Sequence, residues 1–227
     1  MASTARSQTR REKVEAREQA ILCAARQVFE REGFEGARLV EVGRLSGVSE
    51  ATVYTYYKNK AALMEAVLAD FWDVLTRDAR AAVSGIADPL EQLNTLAEFH
   101  LREIIRNIRF LSLFGKLNGA DGRGDTQVET TRAYVRIFDE IFQRCVDREI
   151  FANCPPVWIP RDVFFGTLEY SARTAVLREI DHPSGVVENL IGMFTATYGR
   201  ETKRASDDQA GLIERLERAV KRLEGTG

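Results

Sequence analysis

The stretch that decides the fold runs from Arg38 to Lys60 and reads RLVEVGRLSGVSEATVYTYYKNK. It contains two apolar segments, each too short to form a stable helix alone, separated by Ser46-Gly47-Val48. Gly47 has access to the left-handed backbone conformation that a tight turn between two helices requires. The pattern therefore predicts two short helices, at about 38–45 and 49–56, in helix-turn-helix geometry.

The apolar residues of this stretch are spaced to form one small core with the helix before it. That first helix is expected over about 10–32 and is ended by Gly33. Its inward face carries Ile21, Leu22, Ala25, Val28 and Phe29. The residues expected to pack against it are Leu39, Val42, Leu45, Val48, Val53 and Tyr57.

The outward face of the second short helix is small at its start and hydroxylic or aromatic beyond. Ser49 is placed to cap this helix, while Ala51, Thr52 and Tyr56 point outward. Such a face lets the backbone approach the major groove of DNA while side chains reach base edges. We therefore expect Ala51, Thr52 and Tyr56 to read bases.

Lys60 has two interpretations. If Asn59 caps the next helix, Lys60 lies in its first turn, where the helix dipole disfavours a cation. A DNA phosphate bound at that helix N-terminus would offset the penalty, and the lysine would then be a phosphate contact. Alternatively, Lys60 is a solvated side chain that tolerates the penalty.

Composition and charge exclude several classes of protein. The net charge is −2, but residues 1–60 carry 11 Lys and Arg against 8 Asp and Glu, whereas the remainder carries 21 against 26. This asymmetry suits a compact DNA-reading head on an acidic body. No apolar run is long enough to span a membrane, and the polar N-terminus does not resemble a signal peptide, so we expect a cytoplasmic protein. Three cysteines and two histidines without metal-ligand spacing predict no metal site and no cofactor.

Beyond residue 60 the apolar residues follow the 3.6-residue period of amphipathic helices, and no segment alternates with period 2. Asp88 and Pro89 are placed to begin a helix, residues 118–124 are expected to be a loop, and an amphipathic tail is expected at 208–224. The chain is therefore predicted to be all-α, with an N-terminal three-helix unit at 1–60, whose N-terminal arm is expected to be disordered, and a larger helical domain at 61–227.

Residues 21–34, ILCAARQVFEREGF, and residues 47–63, GVSEATVYTYYKNKAAL, resemble the tetracycline-repressor (TetR) family. The resemblance covers about residues 15–68. It implies a ligand-responsive transcriptional repressor that binds operator DNA as a homodimer and is not an enzyme. The DNA contacts that it implies are Ser49, Ala51, Thr52, Tyr54, Tyr56 and Lys60.

The chain departs from the family pattern at two positions. Ala37-Arg38 stands where the family has a hydroxylic cap for the second helix, so that cap is missing and Arg38 is expected to contact phosphate instead. Gly43 stands where the family has alanine, which costs up to about 1 kcal/mol of helix propensity.

The resemblance also implies a small-molecule effector and a dimer interface in the larger domain. The region from Tyr134 to Val176 is similar to the fatty-acid-responsive branch of the family, which suggests a lipophilic or acyl-thioester effector. Aromatic side chains at helical spacing are either plain core or the lining of an effector cavity, and His100 is either a polar group of that cavity or a structural histidine. The candidate lining residues are Phe99, His100, Ile104, Phe114, Phe138, Phe142, Phe165 and Tyr170. The helices at 160–180 and 184–199 resemble the family's dimerisation pair, with Phe164, Leu168, Ala172, Ala175, Val176, Val186, Leu190 and Phe194 as the expected contacts.

Two other functions compete with this interpretation. An all-helical enzyme is opposed by the absence of any nucleophile-base, phosphate-loop or zinc-binding motif from the sequence. A helical interaction module that does not bind DNA is favoured only by the modest charge of residues 1–60.

Overall fold

The structure is a computed structural model that describes residues 2–117, 125–181 and 183–200, with side chains described for all of these except 2–10, 114–117 and 125–130. The described part of the chain forms helices and no strand, which confirms the predicted all-α class; a lone bridge joins Phe151 and Gly199. The helices are α1 Ala2–Gly36, α2 Leu39–Ser46, α3 Glu50–Tyr56, α4 Lys60–Val83, α5 Pro89–Leu117, α6 Asp125–Asp147, α7 Trp158–Leu177 and α8 Val186–Tyr198.

Helix α1 is longer than the sequence predicted. It begins at Ala2, where a disordered arm was expected, because the first residues contain neither glycine nor proline to interrupt it. At its other end Gly33 has a φ of 71° and breaks the helical geometry, as expected, although one further turn continues to Gly36.

Helices α1 to α3 and the start of α4 form the head. Val28, Phe29, Val42 and Val53 are completely buried, so the two short helices are held onto α1 by a shared apolar core. Leu45 was expected in this core but is 38% exposed, because it lies on the outward side of α2 near its end. The head is thus a three-helix unit whose stability depends on packing more than on helix propensity.

Helices α4 to α8 form the body, and α4 runs continuously from the head into it. Asp88 caps α5 as predicted, with Oδ1 accepting from the Leu90 N–H at 3.1 Å. A cluster of aromatic rings from α6, α7 and α8 fills the far end of the body. Its members are Phe138, Phe142, Phe164 and Phe194, with neighbouring ring centroids 4.8–6.4 Å apart.

Two expectations lie outside the described residues: the loop at 118–124 and the amphipathic tail at 208–224. Within the described residues, every helix is too short or too polar to cross a bilayer.

Candidate nucleic-acid interface and effector cavity

The turn between α2 and α3 is built on two glycines. Gly47 adopts the predicted left-handed conformation, with φ 72° and ψ 26°, and the Val48 N–H donates to the Gly43 carbonyl oxygen at 2.9 Å. A Cβ at Gly43 would lie only 2.9 Å from the Val48 carbonyl oxygen and 3.1 Å from the Glu50 nitrogen. Gly43 therefore allows the turn to fold closely onto α2, which offsets its poor helix propensity.

Ser49 begins α3 as predicted. Its Oγ accepts a hydrogen bond from the Thr52 N–H at 3.1 Å and lies 2.8 Å from the Thr52 hydroxyl. The cap fixes the first turn of a helix too short to be stable alone. Val53 then anchors the same helix in the head core.

The outward face of α3 is open to solvent. Ala51 and Thr55 are exposed and Tyr54 is 50% exposed, while Thr52 and Tyr56 are half-buried. The Tyr56 ring packs beside Tyr57, with centroids 6.3 Å apart. Expected base-reading and DNA-contacting side chains thus lie together on one accessible surface.

Arg38 precedes α2 and is exposed. Its side chain provides no cap for α2, so the missing cap inferred from the sequence is confirmed. Its carbonyl oxygen accepts from the Glu41 and Val42 N–H groups at 3.1 and 3.3 Å. The guanidinium makes no hydrogen bond to the described residues, which leaves it available to an anion beside α3.

The structure shows that Lys60 is not simply a solvated side chain, and its contact with a DNA phosphate stays a prediction. Asn59 does cap α4, with Oδ1 accepting from the Ala62 N–H at 2.8 Å. The Lys60 ammonium, however, turns back to the end of α1, where it donates to the Glu35 and Ala37 carbonyl oxygens at 3.0 and 3.3 Å. It also lies 4.8 Å from the centroid of the Phe34 ring. In the structure Lys60 thus joins the end of α1 to the start of α4.

Most of the candidate cavity residues are core. His100 is buried and its Nδ1 lies 2.9 Å from the Tyr134 hydroxyl, with the Phe165 ring 4.9 Å away. Burial lowers the pKa of His100 to about 3, so the imidazole is neutral at physiological pH. Four aromatic candidates are buried as well, and their part in an effector cavity stays a prediction: Phe99, Phe138, Phe142 and Phe165.

A cavity of about 460 Å³ lies between α4, α5 and α7. Of the predicted lining residues only Ile104 borders it; Tyr170 is 75% exposed and lies outside it, and the Phe114 side chain is not among those described. The sequence missed the other lining residues because they come from three helices, and the spacing within one helix does not show which residues of another helix it faces. They are Trp72, Ile108, Leu111, Ser112, Glu169 and Arg173.

A second, more open depression of about 540 Å³ lies between α5 and the start of α8. Arg102 and Arg106 border it, but both lie next to Glu103 at 3.3 and 3.1 Å, and Glu98 and Glu188 also line the depression. These mixed charges indicate a solvated surface, not a site for an anionic group.

The expected dimer contacts also need correction. Phe164, Leu168, Ala172, Ala175, Leu190 and Phe194 are buried within their own chain and cannot meet a partner, while Val176 is 42% exposed and Val186 is half-buried. Helix α7 carries apolar residues on both faces, and the sequence pattern did not distinguish the two. The exposed apolar residues of α7 and α8 include Val163, Tyr170, Val176, Leu177 and Met193.

Two short helices joined by a glycine turn, packed on a long first helix and backed by a helical body, define a helix-turn-helix protein. Residues 21–67 match the family described as bacterial regulatory proteins, tetR family. The first three helices and the start of α4 are thus similar to the DNA-binding part of this family.

The relatives that share sequence with the chain match only part of it. It is 41% identical over 61 residues to the HTH-type transcriptional regulator RutR of Escherichia coli, which covers 27% of this chain and 29% of RutR. It is 26% identical over 113 residues to the HTH-type transcriptional repressor NicS of Pseudomonas putida, which covers 50% of this chain and 53% of NicS. The matches thus span about a third to a half of these relatives.

The fold extends over most of the chain. The transcriptional regulator FadR from Bacillus subtilis, solved in complex with stearoyl-CoA, superposes with a TM-score of 0.65 at 19% identity, covering 76% of this chain and 97% of that protein.

Proposed function

We propose that this protein is a homodimeric transcriptional repressor that binds operator DNA with its head and releases it when a small molecule occupies the body. The observation that carries the proposal is the α3 surface. A capped helix with buried Val53 on one side exposes Ala51 and Tyr54 on the other. This is the arrangement in which a recognition helix enters the major groove.

The DNA contacts fall into two groups under this proposal. Ala51, Thr52, Tyr54 and Tyr56 face base edges and the neighbouring backbone, whereas Arg38 binds phosphate from the start of α2. Ser49 contributes by capping α3. Lys60 contributes by holding the end of α1, next to the surface where it would also contact a phosphate.

The effector is proposed to occupy the cavity between α4, α5 and α7. Trp72, Ile104, Ile108 and Leu111 make most of its wall apolar, which favours a lipophilic molecule. The FadR relative is described in complex with stearoyl-CoA, and this supports an acyl group as the lipophilic part. Under this proposal residues 1–60 are the DNA-binding domain and 61–227 the effector-binding and dimerisation domain.

Dimerisation is proposed to use the exposed face of α7 and α8. Leu177 is 85% exposed and Met193 is 57% exposed, so a monomer leaves these apolar side chains in water, whereas a partner would bury them. Two paired heads would meet half-sites about one helical turn of DNA apart, roughly 34–36 Å. A cytoplasmic location follows from this function, and no catalytic step is part of it.

A mobility-shift titration with the DNA flanking its own coding region tests the proposal. We expect binding whose log affinity falls as log salt rises, because phosphate contacts release counterions. Arg38→Ala should weaken binding to all sequences alike, and Thr52→Ala should change discrimination at particular bases. Arg31→Ala is the matched control, since this exposed head arginine pairs with Glu32 and Glu41. Absence of binding at low salt would favour the helical interaction module instead.

A further inference from the structure

Arg26 is a side chain of the head that reaches into the body. Its Nε donates to Glu30 at 2.8 Å within α1, and its terminal nitrogen donates to Asn107 Oδ1 on α5. The guanidinium carbon lies 4.6 Å from the centroid of the Phe110 ring and 5.5 Å from that of Phe71. One half-buried cation thus contacts both α4 and α5 from α1.

Each residue that Arg26 contacts in the body is next to a residue of the cavity wall. Phe71 precedes Trp72, Asn107 precedes Ile108, and Phe110 precedes Leu111; the second member of each pair lines the cavity.

The same contacts are packed tightly against one another. The Phe71 and Phe110 rings meet edge to face at 5.6 Å, and Phe71 meets Trp72 at 5.4 Å. Asn107 is itself fixed by a hydrogen bond to the Glu103 carbonyl oxygen at 2.7 Å. A molecule that displaces the cavity wall must therefore disturb the binding site of the guanidinium.

Helix α1 can pass such a displacement to the recognition helix. Val28 and Phe29, beside Arg26 in the chain, are completely buried in the core that holds α2 and α3. Since a packed core moves as a unit, a shift of α1 reorients α3.

We propose that Arg26 is a positioning residue that couples occupancy of the cavity to the orientation of the DNA-binding head. This inference rests on the proposed function. The competing route is α4 alone, which also runs from head to body. Only the first route requires the Arg26 guanidinium. Coupling is measured as the factor by which filling the cavity changes the affinity for DNA.

The test fills the cavity with a defined probe in the full-length protein. Ser112→Cys places a thiol at the cavity, in a background where Cys23→Ala and Cys154→Ala remove the accessible native thiols and Cys145 stays buried. Decyl methanethiosulfonate attaches a decyl chain as a mixed disulfide, and dithiothreitol removes it. Trp158→Phe leaves Trp72 as the only tryptophan, so its emission reports entry of the chain. Ile108→Trp fills the same space genetically and serves as a second probe.

DNA affinity is measured with and without the decyl group in each variant, and the two affinities are compared as a ratio. A loss of stability caused by the substitution affects both affinities and therefore cancels in this ratio. With Arg26 present we expect the decyl chain to weaken DNA binding by at least about fivefold, and in Arg26→Met by less than about twofold. Arg26→Lys keeps a positive charge over the rings but loses the planar guanidinium with its several N–H donors. The decyl chain should therefore weaken DNA binding of this variant by an intermediate factor. Arg31→Met, whose guanidinium pairs within the head, should keep the full effect.

Equal weakening in the Arg26 and Arg26→Met proteins would assign the coupling to α4 and overturn the inference. The inference would also be overturned if the decyl chain entered the cavity, as reported by Trp72 emission, and DNA affinity did not change. Unchanged DNA affinity in the Ile108→Trp protein would have the same meaning. Failure of the unmodified protein to bind DNA would instead refute the proposed function.

Discussion

The ammonium group of Lys60 lies 3.0 Å from the carbonyl oxygen of Glu35, so the first residue of α4 is bonded to the last turn of α1. The carbonyl end of a helix carries partial negative charge, which makes this the favourable end for a cation. The dipole penalty that Lys60 incurs at the start of α4 is thereby offset within the protein, without a bound phosphate.

Lys60→Met should therefore destabilise the protein. The substitution removes charged hydrogen bonds to Glu35 and Ala37 from a half-buried site, and we expect a loss of about 1–2 kcal/mol in the free energy of unfolding. Urea unfolding at neutral pH measures it as a lower midpoint with an unchanged slope. Lys58→Met, an exposed neighbour, is the control. Equal stability of the two variants would contradict the structural role.

Gly47 should tolerate few replacements. Its φ of 72° is left-handed, so Gly47→Val is expected to cost about 1–2 kcal/mol of stability, whereas Gly47→Asn should cost less because asparagine enters this region more readily. Among the described residues, no atom outside its two chain neighbours lies within 4 Å of a Cβ at this position, so the cost is conformational and not steric. Gly36→Ala, outside the left-handed region, is the matched control. If valine and asparagine proved equally costly in thermal unfolding, the turn would have a different conformation.

His100 should make stability depend on pH. Burial lowers its folded-state pKa to about 3, below the ordinary value of 6.5, so the unfolded chain binds a proton first as the pH falls. The stability associated with the neutral imidazole is present above pH 6.5 and is lost as the pH falls from there toward 3. We expect a loss of about 1 kcal/mol between pH 7.5 and pH 5.5.

The measurement is urea unfolding at both pH values, with His100→Gln as the comparison. Glutamine retains hydrogen-bonding capacity toward Tyr134 but does not titrate, so the variant should be less sensitive to pH over this window even if it is less stable overall. An identical pH dependence in both proteins would show that another group is responsible.

Leu177→Glu should dissociate the proposed dimer. This leucine is 85% exposed in the single chain, so a charge there leaves the fold intact but opposes burial against a partner. We expect at least a tenfold weaker dimer, about 1.4 kcal/mol, by sedimentation equilibrium. Gln27→Glu, exposed on α1, controls for the added charge.

Leu168→Glu provides the opposite case on the same helix. Leu168 is completely buried, so this variant should unfold and not merely dissociate. A folded, monomeric Leu168→Glu protein would restore the original expectation that this residue faces a partner.

The local features of the head were predictable from sequence because each depends on neighbours in the chain. Ser49 caps α3 by accepting from the N–H three residues later, and Asn59 caps α4 in the same way. Gly47 can adopt its left-handed conformation because it has no side chain. The helical class followed from apolar periodicity in the same way.

The tertiary structure decided what depends on packing between distant segments. Lys60 found an acceptor 25 positions earlier in the chain, and Arg26 found one 81 positions later. Helix α7 is apolar on both faces, so only its packing against α5 and α6 determined that Leu168 is core and Leu177 is surface. The cavity has walls from three helices for the same reason, because a space between helices depends on how they pack and cannot be inferred from one helix alone.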